Sequence, residues 1–155
     1  MALRLSTSVC LLAFAASVST ASAQTASEDL SVTLEVASEC SVTTTAVAFS
    51  GYTGTANSDA AGEINVTCTD GASYSVTLAA TSGGSGTRTL TSGSDTLDYS
   101  LYSDSGRTTL FPESSGEARN GTGASQTIPV YGRVASGQAV KVGSYSDTVT
   151  VTVTY

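Results

Sequence analysis

The side chains that ordinarily do chemistry are scarce in this sequence. It contains no His, which removes the commonest general base and the commonest metal ligand. Lys141 is the only Lys and stands in no nucleophile motif, so a Ser–Lys pair finds no support. The 13 Asp and Glu residues could in principle supply the paired carboxylates of glycoside chemistry, but on a surface they read as solvated charge. Asp98, Asp104 and Asp147 lack the spacing of a calcium loop. Two Asn-x-Ser/Thr matches, at Asn65 and Asn120, read as chance in a chain so rich in Thr. No catalytic residue, metal or cofactor is therefore expected. What remains is sulfur. Cys40 and Cys68, in an exported chain, most often form one disulfide. The loop it closes, about 28 residues, makes it worth about 3–4 kcal/mol in the chain-entropy model. Zinc would need more ligands than two Cys, and a redox dithiol would want C-x-x-C spacing.

Export is read from the N-terminus. Arg4 supplies a positive start, residues 9–16 (VCLLAFAA) form an apolar stretch too short to span a bilayer, and Ala21-Ser22-Ala23 is a small-residue cleavage site. Residues 1–23 are thus expected to be a signal peptide, with Gln24 the first mature residue. Cys10 and Arg4 leave with it, so five basic side chains face thirteen acidic ones. The full chain carries a net charge of −7, which argues against nucleic acid or an anionic membrane as partner. Beyond the N-terminus no apolar run approaches the roughly 18 residues of a spanning helix.

The elements that must position these residues are strands. Ser and Thr make up about a third of the chain, Gly numbers 15 and Pro 2, and the length bounds the chain to one ordinary domain. No window carries apolar residues at helical spacing for three turns. Seven segments instead have the alternation or composition of strands: 30–36, 42–49, 64–68, 74–78, 97–101, 128–130 and 148–155. Turn-forming clusters separate them, among them Thr69-Asp70-Gly71, Ser92-Gly93-Ser94 and Asp104-Ser105-Gly106. Short strands at this spacing suggest an antiparallel sandwich. Pro129 within the 128–130 strand suggests an edge or a bulge there.

The first segment is unusual. Residues 24–29 are polar, and Leu30, Val32, Leu34 and Val36 then place four large aliphatics on one face. Cys40 pins the chain only after this stretch. Two readings compete. One is an ordinary first strand of the sandwich, which the pattern alone favours. The other is a donor strand that inserts into another copy, gaining main-chain hydrogen bonds and pockets for alternate side chains.

A set of short motifs resembles a known family. Cys40-Ser-Val42, Phe49-Ser-Gly51 and Gly62-Glu-Ile64-Asn-Val66-Thr-Cys68 resemble the opening of the spore coat protein U domain. Tyr74-Ser-Val-Thr-Leu78, Arg88-Thr-Leu90 and Leu97-Asp-Tyr99-Ser-Leu101-Tyr102-Ser-Asp104 resemble its middle. Ile128-Pro-Val130-Tyr131-Gly132-Arg133, Gly143-Ser-Tyr145-Ser-Asp147-Thr-Val149 and Val151-Thr-Val-Thr-Tyr155 resemble its end. Residues 111–123 are poor in such motifs. The family includes subunits of archaic, Csu-type chaperone–usher pili. The resemblance implies an all-β, incomplete immunoglobulin-like sandwich, completed by a donor strand from a neighbouring subunit. It implies a signal peptide (1–23), a donor extension (24–37) carrying Leu30, Val32, Leu34 and Val36, and a sandwich domain (38–155). Val149, Val151 and Val153 would border the acceptor groove, and Cys40 and Cys68 match the family's disulfide. The implied partners are further copies of the chain, a periplasmic chaperone and an outer-membrane usher. The implied role is a pilus subunit, most simply the major shaft one, at the cell surface in adhesion and biofilm formation. The competing function is a secreted coat or carbohydrate-binding module that folds alone.

Overall fold

The computed structural model describes residues 22–79 and 86–155. Most of the expected signal peptide lies outside the described residues. The chain divides into two units, Met1–Leu34 and Glu35–Tyr155. In the first, residues 22–34 form no strand, and Leu30, Val32 and Leu34 are exposed. Val36, in the second, is exposed as well. The half-buried strand that the alternation at 30–36 suggests is therefore not formed within a single copy. Period-2 spacing reports what a segment can pair with, and pairing still requires a partner edge.

The second unit is all β. Its strands are β1 (Cys40–Thr45), β2 (Ser58–Cys68), β3 (Ser73–Leu78), β4 (Arg88–Ser92), β5 (Asp95–Tyr102), β6 (Ala118–Asn120), β7 (Ser125–Val134) and β8 (Val151–Thr154). They form two sheets, one ordered β1-β2-β7-β5-β4 and one ordered β6-β3-β8. Every pairing is antiparallel. The inward residues of the long strands are mostly the large hydrophobes that alternate in sequence. Ile64 and Val66 of β2, Tyr74, Val76 and Leu78 of β3, Leu97, Tyr99 and Leu101 of β5, and Ile128, Val130 and Val134 of β7 make one buried core. Cys40 and Cys68 face each other in the β1–β2 register and are joined by a disulfide.

Six of the seven strand segments read from sequence correspond to observed strands, with shifted ends. β2 and β7 are longer than their apolar alternation suggests, because register with each other carries the pairing on through Gly62, Ala60 and Gly132. The last strand is shorter, and Val149 precedes it. β4 and the three-residue β6 are additional. β4 and β5 form a hairpin around Gly93 and Ser94, with Gly93 at φ 60, the first-position glycine of a II′ turn. Pro129 does not lie on an edge strand, for β7 runs between β2 and β5. Yet β5 pairs with β7 only at Tyr131, Gly132 and Arg133, so Pro129 meets a ladder neighbour on the β2 side alone, opposite Glu63. Locally the strand has a free flank, and a residue without an N–H is accommodated there.

Residues 111–123 prove to be structural. Phe111 is buried in the core, its N–H donates to the Leu101 carbonyl, and the Leu78 N–H donates to the Pro112 carbonyl. Beside it lies a buried cation. Arg88 donates to the carbonyls of Ala79 (2.6 Å) and Leu78 (3.0 Å) and pairs with the Glu113 carboxylate at 3.4 Å. A buried guanidinium is tolerated only with such a set of acceptors.

Candidate functional site

β8 is paired on one side only. Val151 to Thr154 sit opposite Leu78 to Ser75 of β3, and no described residue forms a ladder on the other flank. Residues directly opposite in a ladder share a face. Leu78 and Val76 are buried, whereas their partners Val151 and Val153 are only half-buried. The cover over this face stops short of β8. The pairing continues one step before the strand, where the Ala79 N–H donates to the Thr150 carbonyl at 3.0 Å, and then ends.

Beside this open flank lies a cleft of about 360 Å³. One wall is the segment after β1, with Ala46, Val47 and Phe49; the other is Asp147 to Val149 together with Val151. The floor is the inward face of the large sheet, through Ile64, Val130, Leu101, Tyr99 and Leu90, with Leu78 of the small sheet. A second cleft of about 600 Å³ continues it. It runs between Val47–Tyr52 and Val140–Asp147 and shares Val47, Phe49, Leu90 and Asp147 with the first. Together they make a groove bounded by an edge strand and an irregular segment.

The groove presents both apolar and polar surface, and one polar link crosses its floor. Phe49 packs edge-on against Tyr99, with ring centroids 6.0 Å apart. The Tyr99 hydroxyl crosses the floor and donates to Asp147 at 2.7 Å, while the Thr148 N–H donates to the other Asp147 oxygen. Burial, and then the Asp147 carboxylate, push the Tyr99 phenol well above its usual range, so the hydroxyl remains a donor. The two walls are thereby linked through one tyrosine. No group of three or more potential metal ligands occurs among the described residues. Outside the groove, Arg133 is bidentate on Asp59 at 2.7 and 2.8 Å and holds the Asp59 carboxyl below its usual range.

Of the residues singled out from sequence, Val149 and Val151 line the cleft. Val153 does not line it but packs half-buried against the core. Leu30, Val32, Leu34 and Val36 are exposed. Sequence reasoning missed the opposite wall and the floor. Val47 and Phe49 alternate at the end of the 42–49 segment, which is the signal that could have found them.

Comparison with known proteins is consistent with this architecture. No curated protein matches the chain. Among solved structures it is similar to a chain of the CsuC–CsuE chaperone–tip adhesion subunit pre-assembly complex, from archaic chaperone–usher Csu pili of Acinetobacter baumannii. The TM-score is 0.59 at 19% identity, over 77% of this chain and 40% of that one. The protein thus spans about two-fifths of that chain's length, and the likeness is one of fold. The model of the spore coat protein U domain matches residues 16–152, a span that takes in the segment before β1 as well as both sheets. The chain belongs to the spore coat protein U domain family.

Proposed function

We infer that the protein is a pilus subunit of the archaic chaperone–usher type and that its groove receives a strand from another copy. The observation that carries this reading is β8, whose valines are half-covered and whose outer flank has no ladder partner among the described residues. A strand laid there would add to the β6-β3-β8 sheet and complete the layer over the core. Residues 24–37 supply such a strand. Leu30 to Val36 extend over about 20 Å at roughly 3.3 Å per residue, the length of the 148–154 edge. Burying four aliphatics contributes about 6–12 kcal/mol before entropy costs.

On this reading residues 1–23 are removed on export, 24–37 are the donor extension and 38–155 the acceptor sandwich. An open, partly apolar groove beside a strand edge that no described residue pairs invites aggregation, so a periplasmic chaperone fills it until an outer-membrane usher joins subunits at the cell surface. The role we assign is the major shaft subunit, in adhesion and biofilm formation, with the segment before β1 as its means of joining copies. It is a structural protein rather than an enzyme. The test is deletion of residues 24–37. The full chain is expected to give a ladder of multimers that resists SDS until heated. The deleted chain is expected to lose the ladder while still co-purifying with the chaperone. A deleted chain that polymerises normally, or a full chain that is a soluble monomer without any chaperone, overturns the reading in favour of a self-folding secreted module.

A further inference from the structure

Two glycines lie inside strands where nothing in the backbone asks for them. Gly62 of β2 and Gly132 of β7 are buried, and neither has a positive φ. Glycine within a strand weakens it unless another group must approach closely. Gly62 pairs with Val130, two residues from Gly132, so both open on the same inward face as diagonal neighbours. What approaches them is the groove wall. A methyl group on Gly132 would stand 2.6 Å from Phe49 Cζ and 2.7 Å from Val47 Cγ1. One on Gly62 would stand 2.5 Å from the Thr45 carbonyl oxygen and 2.9 Å from Val47 Cγ2. These distances are far inside van der Waals contact, so any side chain at either position drives the 45–49 segment off the large sheet.

That segment is one wall of the groove, and Tyr99 ties it to the other through Phe49 on one side and Asp147 on the other. We propose that Gly62 and Gly132 are positioning residues that set the width of the groove by letting Val47 and Phe49 sink onto the large sheet. The inference rests on the docking reading above and adds to it a determinant of which strand is admitted. The depth that the glycines allow is what leaves room beside β8 for a strand bearing Val and Leu and none for one bearing aromatic side chains.

The test uses the full chain purified with its chaperone and a labelled peptide of residues 24–37 as the probe. The rate at which the peptide displaces the chaperone is measured. In the chaperone complex that is recovered, Gly132→Ala is expected to slow displacement by about tenfold or more. Adding Val47→Ala and Phe49→Leu, which removes the atoms that the methyl meets, is expected to restore it. Phe49→Ala alone is expected to widen the groove and reverse the preference between the natural peptide and a Leu34→Phe peptide. This reversal is not produced by loss of stability, and it decides the matter if Gly132→Ala does not fold. Gly132→Ala at the unaltered rate, or Phe49→Ala without a change of preference, overturns the width-setting role while leaving the docking reading in place. Failure of the natural peptide to displace the chaperone from the unaltered chain overturns the docking reading itself.

Discussion

Tyr99 shows how one side chain serves packing and polarity together. Its ring is part of the core and meets Phe49, while its hydroxyl donates to Asp147. Burial and the neighbouring carboxylate both disfavour the phenolate, so the folded-state pKa is raised. The sign for stability follows. A raised folded pKa gives stabilisation that is fully present below the ordinary tyrosine value, about 10, and is lost progressively as pH rises from there to the raised folded value, because in that window the unfolded chain ionises and the folded one does not. The protein is expected to lose stability in denaturant titrations above about pH 10. Tyr99→Phe is expected to flatten that loss while lowering stability at neutral pH by about 1–3 kcal/mol, since Asp147 loses its buried donor. An unchanged alkaline slope in the variant would show that Tyr99 does not control it.

Strands with one covered face were legible at the element scale, and irregular pairings were not. β2, β3, β5 and β7 announce themselves through Ile64-x-Val66-x-Cys68, Tyr74-x-Val76-x-Leu78, Leu97-x-Tyr99-x-Leu101 and Ile128-x-Val130, because the large hydrophobes face one core. β4 escaped because its most buried inward position is Arg88, beside Leu90, and the burial of that cation depends on carbonyls and Glu113 that no local pattern reveals. β6 is held by only three pairs with β3. The groove was half legible: Val149 and Val151 stand in the final alternation, but the Phe49 wall depends on glycines that are remote in sequence. Side chains also continue ladders. β7 ends at Val134, and beyond it the Gln138 amide takes its place beside β5. Gln138 accepts from the Asp98 N–H and donates to the Asp98 carbonyl, both at 2.8 Å. Gln138→Ala is expected to speed hydrogen exchange of the Asp98 amide by one to two orders of magnitude and to cost about 1–2 kcal/mol. Unaltered protection at Asp98 would show that this amide mimicry contributes nothing.

For the whole molecule, one-domain length need not mean a self-sufficient domain. A sandwich whose small sheet has three strands, against five in the large one, leaves part of the shared core under an open edge. Leu30, Val32, Leu34 and Val36, in the segment before β1, are four exposed aliphatics. If the two belong together, supplying the segment to the free flank of β8 should convert an aggregation-prone subunit into a stable monomer. A copy of residues 24–37 appended after Tyr155 through a short Gly/Ser linker is suited to this, since β8 ends at Thr154 and the chain can return antiparallel along the unpaired side. The fused protein is expected to be soluble without chaperone, to melt well above the unfused chain, and to form no ladder because its groove is occupied. The gain draws on the same four side chains, about 6–12 kcal/mol of apolar burial less the entropy of ordering the segment. Val32→Asp in the appended copy places a carboxylate in an apolar cleft at a cost on the order of several kcal/mol, and the melting temperature should fall back towards that of the unfused chain. If the appended copy leaves the melting temperature where it was, or if Val32→Asp makes no difference to it, the segment and the groove are not partners.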